Sequence, residues 1–394
     1  MLRILFLMMT LMAAVPQAEA QKKEISQARD YIKSGKDLEK AEDLMAKLLQ
    51  NPQHRQNLKI HATLYDAVEA QYEAANKRLY LHQKQDTAAF FNLLKRLYLV
   101  GEALDSVDAM PDAKGKVKIT YRNNHAETLT RLMPNLYAGG TFFLKKQQWQ
   151  QAFSFFETHI DCYQQPLLAN ALKAQSDNDN RKVQAAYWAL YSAHNMKDPV
   201  LTLRHRELAL QEQGKRELTL QFIAEAWLQL KDDSMYQATL KEGFEAYPLD
   251  AYFYPRLTDC LTSDKRYEEA LSITDKAIEA CDTCRLFLFA KSNLLLNLGR
   301  NDEAYDFAKK VAGKDFAEAY FTAATALLNK VAKMNERTDK AAIQALYREA
   351  MPYMEQFRQA EPEEKERWAP ALYRIYLNLN MGKQFDEIDQ LLKK

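Results

Sequence analysis

RYEEALSITDKAIEA, from Arg266 to Ala280, and RNDEAYDFAKKVAGK, from Arg300 to Lys314, carry one pattern in one register. Each opens on arginine, places acidic residues in what would be a first helical turn, and sets a small residue at the same place. Those residues are Ala270 and Ala304, 34 positions apart. Apolar residues three and four apart give each segment a helical stripe. A further step of 34 back reaches Tyr236 in DSMYQATLKEGFEAYP, and another reaches Thr202 in a helical stretch ending near Gln213. One such match is weak; several in a single register outweigh coincidence. A two-helix unit of this length cannot bury its stripe alone, so neighbours must stack.

The register resembles that of the tetratricopeptide repeat (TPR), a 34-residue helix-turn-helix. In the Glu217 unit, Leu220, Ile223, Ala224 and Trp227 fall on first-helix positions and Pro248 on the closing proline. In the Ala251 unit, Tyr254, Leu257, Leu261, Ala270 and Ala277 match, Thr258 and Thr274 are weaker, and Asp282 replaces the proline. The Arg285 unit has Leu288, Ser292, Leu295, Ala304 and Val311, with Lys291 where an apolar residue is usual. Leu136, Gly139, Gly140, Phe143, Ala152 and Phe156 mark an earlier unit. Ala350, Phe357 and Pro362, then Trp368, Ala371, Leu372 and Ile375, mark later ones. The resemblance implies an all-α fold over 133–394, a right-handed superhelical solenoid of antiparallel helix pairs. The longer steps from Ala152 to Thr202 and from Ala304 to Ala350 place insertions near 165–182 and 333–339. Residues 21–132 read as divergent N-terminal helical repeats, interrupted by a loop at MPDAKGKVKITY (Met110 to Tyr121).

Composition agrees with helices. Only 10 of 394 residues are glycine, far below the usual ~7 % on which turns and phosphate loops draw. Charged residues at 27 % and apolar ones at 47 % fit neither disorder nor a multispan membrane protein. The N-terminus, MLRILFLMMTLMAAVPQAEA, has the parts of a secretory signal peptide over 1–20: Arg3, an apolar run from Ile4 to Val15, and Ala18-Glu19-Ala20 as the cleavage site. The expected mature chain starts near Gln21 and is exported, periplasmic or secreted, without an integral membrane span. Its net charge of +1 argues against nucleic acid as a partner.

CDTC, at Cys281 to Cys284, has the spacing of metal and redox sites. A thioredoxin-like site needs that motif within a βαβ unit, and structural zinc needs two further ligands. Here the pair falls between two helices, where it can close a local disulfide; no second pair exists, although folding can bring Cys260 near. His205-x-Glu207 upstream has the outline of the zinc-deaminase signature, but no proline precedes Cys281; the two read as solvated neighbours. No H-E-x-x-H, G-x-S-x-G or phosphate-loop motif occurs. Neither a catalytic residue, a metal ligand nor a cofactor is expected. The basic run Lys114, Lys116, Lys118 and Arg122 reads as a solvated loop.

In the repeat family, first helices line a groove that holds a peptide or a partner helix. Its groove positions fall here on Tyr137, Thr141 and Lys145; on Gln221, Glu225 and Gln229; on Tyr252 and Asp259; on Phe289, Asn293 and Asn297; and on Tyr373 and Tyr376. Amides can bond a peptide backbone as donor and acceptor, and tyrosines add rigid contact area. The lysine and asparagine set that clamps C-terminal carboxylates in chaperone-binding members is not assembled. The expected function is therefore a non-catalytic protein or peptide interaction scaffold. The alternatives are a metal-binding or redox protein using Cys281 and Cys284, and a glycan- or cell-envelope-binding accessory protein.

Overall fold

The computed structural model describes residues 19–173 and 180–393. The segment read as a signal peptide lies outside them up to residue 18, as do 174–179 of the first predicted insertion. Among the described residues there is no strand, and the only β feature is an isolated bridge between Gly313 and Phe316. Twenty α-helices run in order along the described residues. The chain divides into two compact units at Lys231/Asp232. Each is an all-α, TPR-like solenoid.

The first unit holds α1 (19–34), α2 (Leu38–Gln50), α3 (Leu58–Tyr80), α4 (Thr87–Asp108), α5 (Arg122–Lys145), α6 (Trp149–Asp161) and the short α7 (Ala169–Lys173). It continues through α8 (Arg181–Asn195), α9 (Pro199–Arg204), α10 (Arg206–Ala209) and α11 (Arg216–Leu230). The second holds α12 (Asp233–Ala246), α13 (Phe253–Ser263), α14 (Tyr267–Ala280), α15 (Arg285–Asn297) and α16 (Asn301–Val311). It ends with α17 (Ala317–Val331), α18 (Lys340–Ala360), α19 (Lys365–Asn378) and α20 (Gly382–Leu392). Within each unit, helices pack chiefly on their neighbours in sequence, and alternate helices such as α8 and α11, or α15 and α17, also touch. That is the contact pattern of a one-dimensional stack.

The turn conformation repeats with the sequence. Lys197, Lys231, Lys265 and Gly299 all have positive φ, near 59° for the lysines and 74° for the glycine, at steps of 34 residues. After α13 and α15 the next residue reaches back five positions: the N–H of Arg266 donates to the Leu261 carbonyl (2.8 Å) and that of Arg300 to Leu295 (2.9 Å). These are Schellman closures, which satisfy carbonyls that a helix end leaves open. Side chains start the helices: Asp86 accepts from the N–H groups of Ala88 and Ala89, Asp198 from Leu201, and Asp232 from Met235.

Five residues beyond the turn lies the small position. Ala152, Ala270 and Ala304 are fully buried there. Glycines serve the same closeness on α5, where a Cβ at Gly139 would lie 2.7 Å from Phe155 and one at Gly140 2.7 Å from Phe156. Both phenylalanines are fully buried, each contributing roughly 1.5–3 kcal/mol by leaving water. Two departures from the repeat pattern have local explanations. Thr274 is buried, with its hydroxyl 3.0 Å from that of Tyr254. Lys291 holds its ammonium over the Phe307 ring, 4.5 Å from the centroid, and pairs it with Asp275 (2.6 Å).

Gly243 is the tightest of these positions, since a Cβ there would fall 2.2 Å from the Phe253 ring. Gly243→Ala is expected to destabilise the protein by about 1–3 kcal/mol in urea unfolding. Gly382→Ala, whose Cβ meets nothing within 4 Å, is the neutral control; equal midpoints for the two variants would contradict this packing.

Candidate functional site

In the first unit three first helices, α5, α8 and α11, lie side by side. Tyr137 on α5 is half-buried, its ring edge-on to Phe156, and its hydroxyl donates to Gln184 of α8 at 3.4 Å. Thr141 turns its hydroxyl back to the Tyr137 carbonyl (3.0 Å), and Lys145 is exposed in the last turn. On α11, Gln221 and Glu225 are half-buried and Gln229 is exposed. The predicted residues of α5 and α11 are not adjacent: α8 lies between them. Its Tyr191 ring packs edge-on to Phe222 (5.9 Å) and to Trp149 (5.9 Å). His194 lies against Phe222 at 4.3 Å, with Nε2 3.6 Å from the Glu225 carboxylate. Burial holds the His194 pKa below its ordinary value, and the Glu225 charge offsets part of that. Trp188 and Tyr191 are both half-exposed aromatics. Gln184, Trp188, Tyr191, His194 and Phe222 thus join the predicted residues into one row. YWALYSAHN (Tyr187 to Asn195) shows the aromatic spacing, but the 50-residue step from Ala152 to Thr202 hid its place in the register.

In the second unit the predicted residues are mostly engaged. Tyr252 lies under the Arg256 guanidinium (3.9 Å) while Asp259 is exposed. Phe289 packs edge-on to Phe316 at 5.0 Å. Asn293 accepts from Thr322 of α17 at 2.8 Å, and Asn297 donates to the Asn293 carbonyl. Tyr373 sits 4.7 Å from the Phe385 ring. Tyr376 corrects the sequence reading: it is 2 % exposed and donates to Glu355 (2.9 Å), so it packs the core and offers no surface.

Cys281 and Cys284 are disulfide-bonded in the turn between α14 and α15; Cys162 is buried and free, and Cys260 is free. Sulfurs tied in a disulfide have no thiolate to offer a metal. Among the described residues no three His, Cys, Asp or Glu side chains gather as a metal site would need, and no helix is long and apolar enough to cross a membrane. His205 is a second correction. It is not a solvated neighbour of Glu207 but a half-buried residue at the α9/α10 break, 4.0 Å from Glu157, with its pKa lowered by burial. Arg122 is likewise not a free cation; it is bidentate to the buried Asp105 (2.7 and 2.8 Å).

No family model matches the chain, and no curated protein does. Solved structures do. The C-terminal part of a TPR repeat-containing protein from Cytophaga hutchinsonii matches at 12% identity, over 64% of this chain and 92% of that one, with a TM-score of 0.40. A tetratricopeptide repeat protein from Parabacteroides merdae matches at 12% identity, over 87% and 99%, with a TM-score of 0.24. The P58(IPK) TPR domain matches at 13% identity, over 92% and 99%, with a TM-score of 0.27.

One carboxylate on α4 is perturbed enough to test. Burial pushes Glu102 from 4.5 up to about 7, and the charge of Asp161 adds to it. Between these pH values the folded chain keeps a proton that the unfolded chain has lost, so stability falls as pH rises through that window. Glu102→Gln is expected to raise the melting temperature at pH 8 and to leave it unchanged near pH 4.5. A gain of the same size at both pH values would rule out this origin.

Proposed function

We propose that the chain is a non-catalytic scaffold that binds a protein or an extended peptide along its first-helix faces, with the row across α5, α8 and α11 as the main contact. The observation that carries this reading is the unbroken sequence of half-exposed Tyr137, Trp188, Tyr191 and Phe222, with His194 and Glu225 beside them. Aromatic side chains of this kind bring large contact area at low entropic cost, and a mixed amide and carboxylate surround bonds a backbone in either direction. The rows of the second unit serve as secondary contacts, because their amides and rings are largely turned to one another. Residues 21–132 act as divergent repeats that cap the array, and 133–394 carry the regular ones. The Arg3 start, apolar run and A-x-A motif of 1–20 support export to a periplasm or beyond.

Two experiments test the two halves of this reading. Cross-linking in intact source cells, followed by mass spectrometry, is expected to attach a protein to the wild type. That adduct should fall about tenfold, or ~1.4 kcal/mol, in a folded Trp188→Ala, Phe222→Ala variant. Identical adducts for the two proteins, or none for either, would sink the scaffold reading. N-terminal analysis of the protein from the same cells is expected to begin at or near Gln21; a chain that retains Met1 would refute export through this signal.

A further inference from the structure

Between α4 and α5 the chain runs 13 residues, 109–121, without helix, and it is held in place at both ends. Asp108, 3 % exposed, accepts the N–H groups of Thr120 (2.6 Å) and Tyr121 (2.8 Å) through one oxygen. Asp112 accepts those of Lys114 (2.8 Å) and Lys116 (2.9 Å), and its own N–H donates to the Lys116 carbonyl. What these anchors present is KVKIT, Lys116 to Thr120, every residue of it exposed. Val117 is 51% exposed and Ile119 41%. Among the described residues, no hydrogen bond is made by the N–H or C=O of Val117, Lys118 or Ile119, and no carboxylate pairs with Lys114, Lys116 or Lys118. Asp112, the only acid in the loop, is already committed to backbone N–H groups.

We infer that this loop is a second docking surface, to which an acidic, extended segment of another protein adds as a strand. An alternating run of lysine and β-branched residues with an open backbone is what strand addition uses: main-chain bonds give affinity, and alternate side chains give specificity. Three unpaired lysines without a neutralising acid set the sign of the partner. A lipid surface would use the lysines and the aliphatic side chains but leave the open backbone groups unused, so the peptide is the better occupant. The surface lies apart from the first-helix row, and it does not depend on the reading given to that row.

The test uses a fluorescent, N-acetylated peptide of alternating glutamate and valine, titrated at low salt with the full mature chain and followed by anisotropy. Saturable binding is expected, weakened about tenfold by Lys116→Glu with Lys118→Glu. Proline lacks the N–H that a ladder needs while keeping an extended backbone. One of Lys118→Pro and Ile119→Pro, whichever removes the row facing the peptide, should therefore lose binding, whereas Lys118→Ala and Ile119→Ala keep it within about threefold. Unchanged far-ultraviolet circular dichroism certifies the fold, and Trp188→Ala, Phe222→Ala should bind the peptide as the wild type does. The inference is overturned by absence of saturation at millimolar peptide or by proline variants that match their alanine counterparts. It is equally overturned if the chain binds vesicles of phosphatidylcholine and phosphatidylglycerol but not the peptide.

Discussion

Each regular hairpin in this chain turns on one residue held at positive φ. Lys197, Lys265 and Gly299 occupy that position inside the two units, and Gln147 and Asn380 do so in the flanking pairs. For lysine the left-handed conformation is unfavourable by roughly 1–2 kcal/mol, so the packing on either side must hold it there. The return is geometric. The tight turn brings the second helix back onto the first with the small residue five positions later at the crossing, fully buried at Ala152, Ala270 and Ala304. A larger side chain in place of Ala152, Ala270 or Ala304 would push that pair of helices apart, because each of these alanines is fully buried.

The row across α5, α8 and α11 follows from the same closeness. First helices near enough to touch put residues of one turn beside residues of the next helix, so Tyr137 reaches Gln184 and His194 reaches Glu225. A row assembled this way is rigid where rings pack edge-on, as Tyr191 does on Phe222. It is chemically adjustable only at its margins, where Lys145 and Gln229 face solvent. The turn with Cys281 and Cys284 fits this picture as a closed joint between α14 and α15. A loop this short restricts the unfolded chain by about 2 kcal/mol, a modest addition to a turn that already has its own backbone bonds.

The fold was legible because the small residue at the crossing is a sequence letter, and its 34-residue recurrence survives even where tyrosine or threonine replaces alanine. The turn residue was not legible, because lysine in place of glycine carries no mark of positive φ. Exposure was legible where helical position alone decides it, as at Gln229 and Lys145, and illegible where a neighbouring helix decides it. Tyr376 looks like its half-buried relative Tyr373 in sequence, yet Glu355 on α18 draws its hydroxyl inward. His205 has only local polar neighbours in sequence, and its burial comes from α6 through Glu157. α8 was missed because the chain between Ala152 and Thr202 is longer than one unit, and the short α7 lies within that extra length.

A photoreactive phenylalanine analogue placed at Trp188, and in a separate protein at exposed Gln151 on α6, tests the central claim most directly when irradiated in intact source cells. A protein adduct from position 188 and none from position 151 is the result predicted for recognition along the first-helix row. Adducts of equal yield from both positions, or from position 151 alone, would contradict it.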